Sequence, residues 1–169
     1  MAEKEMQQEE HPLNMGKLLV NFQSLEIALR LFLYNDEIAS RVSSPQAVNL
    51  NAMNAGDIVA ENAFTNYDSL SQLIDKYNNH PNIISTGLTI DKTLVDIRDA
   101  IAHGRVAGVT PLLVPPLKLM KFDKPKNKSV KVTFSVLLTR EWFILEMAKV
   151  QDAVFKVFQA IQIIQSAKT

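Results

Sequence analysis

The chain has no cysteine, only five glycines, and no surplus of either charge: 18 Lys and Arg stand against 18 Asp and Glu. The missing thiols exclude disulfides, thiolate nucleophiles and thiolate-held metals. Five glycines leave little room for a glycine-rich phosphate loop, and no Gly-x-Ser-x-Gly nucleophile elbow occurs. The balanced charge means that no bulk field draws a polyanion, so any such attraction is local. No apolar run approaches the ~18 residues of a membrane span. The first ten residues hold four glutamates and one lysine, the opposite of a signal peptide's basic start, so a cytoplasmic protein without a membrane partner is expected.

What is present fits one ordinary domain: 169 residues, 47% apolar and 21% charged. Residues 1–12 read as a flexible acidic tail stopped by Pro12, with a single helical domain over 13–169. Leu18, Phe22, Leu25, Leu29 and Phe32 recur at helical spacing, with Glu26 inside the stripe as a part-buried carboxylate that needs a partner. Ser40 to Gly56 reads as a loop, and Asp57 to Asn66 favours no element. Ser69-Leu70-Ser71-Gln72 has the form of a capping box, opening a helix through Leu70, Leu73, Ile74 and Tyr77 that ends at Asn78-Asn79-His80-Pro81. Another helix is expected from near Leu88 or Thr89, with the stripe Ile90, Leu94, Ile97 and Ile101, and with Gly104 as a left-handed C-cap.

Pro111, Pro115 and Pro116 exclude a helix beyond that point. Val130, Val132, Phe134, Val136 and Leu138 alternate with Lys131, Thr133, Ser135 and Leu137, a strand pattern. Leu117 to Phe122 is its partner, giving a β-hairpin over about 112–138 whose loop, Asp123 to Ser129, is longer than a tight turn. Thr139 is the N-cap of a final helix reaching Ser166, with Glu141 in its first turn. That helix carries apolar residues around most of its circumference, more than one core uses, so a homodimer through it is expected. The fold class is therefore mainly α: a bundle of four to five helices with a β-hairpin inserted before the long last one.

The chemistry concentrates in Arg98-Asp99-Ala100-Ile101-Ala102-His103-Gly104-Arg105. Arg98 offers a planar fork of donors to a phosphate, and His103 can exchange a proton near neutral pH. Asp99 lies four residues before His103, one helical turn away, and Arg105 adds a second cation. Arg98 and His103 are five residues apart, about 140° round the axis, so they converge only by reach. Such a group suits metal-free phosphodiester cleavage, in which a ribose 2′-hydroxyl is deprotonated and attacks the neighbouring phosphate. The same residues also suit a plain helix end, where the dipole favours cations and an i,i+4 Asp/His pair stabilises the turn.

Arg-Asp-x-x-x-His-Gly late in a helix of an α bundle resembles the signature of the HEPN superfamily, an Arg and a His with four to six residues between them, here the four from Asp99 to Ala102. The likeness extends to the long first helix (Phe22-Gln23-Ser24-Leu25-Glu26-Ile27-Ala28-Leu29-Arg30) and to the long apolar last one. It covers most of residues 13–166 and rests on a six-residue motif in which Asp99 replaces the commoner Asn. The resemblance implies a metal-independent endoribonuclease of a toxin–antitoxin or defence system, active as a dimer. Arg98 and His103 would be catalytic and Asp99 would support them, with no cofactor and with an antitoxin protein as a possible partner. It equally admits an inactive module of the same fold that binds RNA, nucleotide or a partner protein.

Six lysines fall within the fourteen residues from Lys118 to Lys131, against one acid, Asp123. Arg105, Lys124, Lys126 and Lys128 are therefore candidates to hold RNA phosphates, although lysines also guard edge strands against aggregation. His11 and His80 share no ligand spacing with each other or with His103, so no metal site is expected. Trp142 and the methionines read as core or interface.

Overall fold

The computed structural model describes residues 2–39, 52–108 and 117–166, the side chains of 2–9 and 39 excepted. Within them lie five helices and three strands: α1 (Ala2–Ala39), α2 (Leu70–Asn78), α3 (Pro81–Thr86), α4 (Thr93–His103), β1 (Arg105–Ala107), β2 (Lys118–Phe122), β3 (Val132–Leu137) and α5 (Arg140–Ser166). The protein is mainly helical with a small antiparallel sheet in the order β1-β2-β3. None of these helices is long and apolar enough to cross a membrane. Residues 40–51 of the loop expected from Ser40 to Gly56, and Pro111, Pro115 and Pro116, lie outside the described residues.

The chain forms two units, each assembled from two stretches: Met1–Leu25 with Asp91–Ala153, and Glu26–Ile90 with Val154–Thr169. In the first unit α1 passes straight through Pro12 instead of stopping there. A proline deletes one backbone bond and crowds the preceding turn, but the helix on either side keeps its other bonds. Leu18, Phe22 and Leu25 are buried on this stretch, as are Leu94, Ile97 and Ala100 on α4. The start of α4 falls a few residues later than the periodicity indicates. Asp91 sets it, accepting the Thr93 N–H at 2.8 Å; that bond, helped by the Thr93 side chain, holds the Asp91 carboxyl below its ordinary range.

The sheet pairs Val106 with Leu119 and Leu119 with Val136. Residues opposite each other share a face, so these three point the same way, and Leu119 is fully buried. Between β2 and β3 the chain does not turn through a wide loop. Asn127 and Lys128, at φ of 50° and 61°, form a two-residue turn closed by mutual Lys126/Ser129 backbone bonds of 2.8 and 2.9 Å. Two positive φ values in succession define the turn whose twist matches a hairpin. At α5, Thr139 caps as expected, its hydroxyl accepting the Trp142 N–H at 3.1 Å.

In the second unit the capping box at Ser69 and Gln72 is complete. The Asn78–Pro81 stretch ends α2 and then starts α3, which the periodicity does not reveal: Pro81 takes the first helical position and His80 Nδ1 accepts the Asn82 N–H. Glu26 has its partner, Arg30 at 3.1 Å. Asp57 to Asn66 forms no helix or strand, and its turn at residues 63–65 is held by Asn62, whose side-chain oxygen accepts the N–H groups of Phe64 and Thr65.

Candidate anion-binding site

Everything that bears on the site belongs to the first unit. The last two turns of α4 present Arg98, Asp99 and His103, and the chain then bends directly into β1. Gly104 makes that bend, and not in the left-handed conformation expected of a C-cap: its φ is −75° and its ψ 177°. Glycine is required for space. A Cβ there would run into the Ala100 carbonyl oxygen, and would lie 2.9 Å from the Met120 carbonyl oxygen and 2.8 Å from Leu119 Cδ1. The end of α4 thus sits directly against β2, and the missing side chain is what brings helix and sheet together.

That contact brings in a residue outside the contiguous motif. Lys121 stands two positions after Leu119 on β2, on the same face of the sheet, and its Nζ lies 3.3 Å from Asp99 Oδ2. Asp99 Oδ1 in turn accepts from Arg98 Nη1 at 3.4 Å. One carboxylate is therefore held between two cations, in a cluster where Arg98 and Asp99 are each 36% exposed and Lys121 28%. Both distances are long for charge-assisted hydrogen bonds, and exposed pairs of this kind contribute only ~0–1 kcal/mol each.

His103 is exposed at the helix tip. Among the described residues its ring takes part in no hydrogen bond or ion pair, and the Asp99 carboxylate is engaged by Arg98 and Lys121. Arg105 is committed elsewhere. It pairs with Met120 across β1 and β2, and its guanidinium stands 5.2 Å from the centroid of Phe122, diagonal to it on the sheet face opposite Leu119 and Lys121. Lys124, Lys126 and Lys128 are exposed at the far part of the hairpin, three to seven residues beyond Lys121. The structure thus joins Arg98, Asp99 and Lys121, leaves His103 accessible beside them, and carries the other three lysines away. Alternation within Lys118–Phe122 holds a signal for Lys121: it puts a lysine on the strand's inward face, where an amine needs a carboxylate.

Two further polar groups sit in the same unit. Glu146 is 4% exposed, with Oε1 bonded to Lys149 at 2.9 Å and Oε2 without a partner. His11 packs edge-on against Phe143 at 5.6 Å with Nε2 unpartnered, and burial lowers its pKa from the ordinary histidine value. Among the described residues no group of three or more His, Asp or Glu is placed to hold a metal ion. Comparison with family models, curated proteins and solved structures gave no match.

Proposed function

We propose that the chain is a HEPN-like protein whose α4 tip binds RNA and cleaves it without a metal. The observation that carries this reading is the company of an accessible imidazole, His103, with a half-exposed guanidinium, Arg98, on the last two turns of one helix. In the proposed step neutral His103 takes the proton from a ribose 2′-hydroxyl. The freed oxygen attacks the adjacent phosphorus, the bond to the 5′-oxygen breaks, and that oxygen takes a proton from solvent water as it leaves, while the His103 imidazolium returns its proton to solvent. Arg98 stabilises the charge that builds on the phosphoryl oxygens. The products are a 2′,3′-cyclic phosphate and a 5′-hydroxyl end. A place in a toxin–antitoxin or defence system, with an antitoxin as partner, belongs to the same proposal.

Incubation with single-stranded RNA in EDTA tests it. Wild type is expected to leave 2′,3′-cyclic phosphate ends and His103→Ala to leave RNA intact. One observation favours the second reading, a non-cleaving module that holds RNA or nucleotide: the described structure gives His103 no carboxylate to orient its ring. RNA bound by both proteins and cut by neither selects that module.

We further propose that α5 pairs with a second copy. Ile144, Ala148, Gln151, Phe155 and Phe158 follow one another at intervals of four, three, four and three, and all five are exposed. This is the repeat of a helix–helix seam. Light scattering at micromolar concentration should give twice the chain mass for wild type and the chain mass for Phe155→Glu/Phe158→Glu. A monomeric wild type rejects the pairing.

A further inference from the structure

We propose that Lys121 is a third anion-binding group of the α4 site, and that the Asp99 carboxylate is a resident anion which a phosphate guest displaces. The inference rests on the reading of this site as one that takes a phosphodiester, and it adds the sheet to that site.

Three observations support it. Lys121 projects from the inward face of β2 onto α4, and its partner there is Asp99 at 3.3 Å. The same carboxylate meets Arg98 at 3.4 Å, so the two cations flank a single point already shown to accommodate negative charge. Both cations keep about a third of their surface in solvent, and both contacts are long, so the cluster opens at little cost. A phosphodiester oxygen placed where the carboxylate oxygens lie would meet Arg98 and Lys121 together, with His103 one turn further along α4. Gly104 holds this arrangement fixed, because it lets β2 lie against the helix end that carries both motif residues. In this arrangement Asp99 is a competitor for the cations and not the support of His103. The two roles predict opposite effects when its charge is removed.

The experiment measures binding of two probes, inorganic pyrophosphate and a short single-stranded RNA made uncleavable by 2′-O-methylation, at low salt. Removing one negative charge within a few ångströms of the bound anion should tighten binding of both probes by Asp99→Asn about threefold to tenfold, an effect that shrinks as salt rises. Lys121→Gln should weaken both by a similar factor and erase the gain when combined with Asp99→Asn, whereas Lys121→Arg should keep wild-type binding. Circular dichroism checks each fold, and Lys121→Met carries the lysine arm, with the same expected weakening, if the glutamine variant does not fold. Unchanged or weaker binding by Asp99→Asn overturns the proposal, and so does a Lys121→Gln protein that binds as wild type does. If pyrophosphate responds as expected while RNA is neither bound nor cut by wild type, the anion clamp stands and the ribonuclease reading falls. If RNA is cut but neither variant shifts either probe, the ribonuclease reading stands and the clamp falls.

Discussion

The two units treat polar groups in opposite ways. Among the described residues of the second, the polar side chains that leave solvent find matched partners. Arg30 bonds Glu26 at 3.1 Å, the Asn66 carbonyl at 2.9 Å, the Asn66 side chain at 3.0 Å and the Asp68 carbonyl at 2.8 Å. Asn78 donates to and accepts from the Ile90 backbone, both at 2.8 Å, and the Tyr77 hydroxyl donates to Leu88 O at 2.9 Å. Each of these fastens a turn or loop to a helix. In the first unit Glu146 and His11 each bury an unpartnered atom, and Asp99 is shared loosely between two cations. Satisfied networks specify a single structure, whereas slack polar groups are where a ligand can still gain contacts. By that difference the first unit is where the proposed binding chemistry has groups to use, and the second has the satisfied character of a scaffold.

Four measurements break or sharpen that contrast. The largest effect is expected where the site's geometry hangs on one absent side chain. Gly104→Ala would drive a methyl into two backbone carbonyls that cannot rotate away, and should lower stability by about 3 kcal/mol in denaturant titration. Loss of pyrophosphate binding should accompany it. Next, Arg30→Met strips the partners from two carbonyls and from Glu26, and should cost about 2 kcal/mol in the same assay while leaving pyrophosphate affinity unchanged. A binding defect in that variant would erase the distinction between scaffold and site.

The third concerns pH. Tyr77 is fully buried and burial pushes its hydroxyl up to about 12. A raised folded-state value means that its contribution is intact below the unfolded value near 10 and is lost as pH climbs from there towards 12. At pH 11 the loss should be about 1.4 kcal/mol. Tyr77→Phe should flatten that part of the stability–pH curve, and a wild-type curve already flat between pH 10 and 11 would count against the buried phenol. The smallest effect is a gain. Lys128 occupies a left-handed position that glycine accepts freely, so Lys128→Gly should stabilise the hairpin by about 1 kcal/mol, seen as a higher melting temperature.

Much of the fold is legible in the sequence because local rules decide it. The Ser69/Gln72 capping box, the alternation of β3, the span of α5 and the placing of Arg98 and His103 near the end of α4 all follow from spacing and caps. Other features depend on choices that spacing leaves open. Pro12 reads as a stop, but a long helix can lose one bond and continue. His80-Pro81 ends one helix and also begins another, because the cap and first-turn signals of α3 coincide with the stop signal of α2. β1 is three residues long, too short for its alternation to stand out in the sequence, so only its pairing with β2 defines it. The tight turn at Asn127-Lys128 is hidden because lysine stands where glycine would announce it. Within the site, Arg98, Asp99 and His103 are adjacent in sequence, whereas Lys121 arrives from β2, and nothing local links it to Asp99 twenty-two residues earlier.

The discontinuous make-up of the units also bears on how the chain is synthesised. Completing the first unit joins Met1–Leu25 to Asp91–Ala153 across an intervening stretch of 65 residues (26 to 90), a closure that costs roughly 4 kcal/mol of chain entropy. On the ribosome, the second unit must wait for Val154–Thr169, although most of its residues emerge much earlier. The nascent chain therefore spends an interval with Phe32, Leu73 and Tyr77 already translated and the α5 residues Val157, Ile161 and Ile164 still to come. That interval is when chaperone capture, and pairing with a neighbouring nascent chain, have their best opportunity.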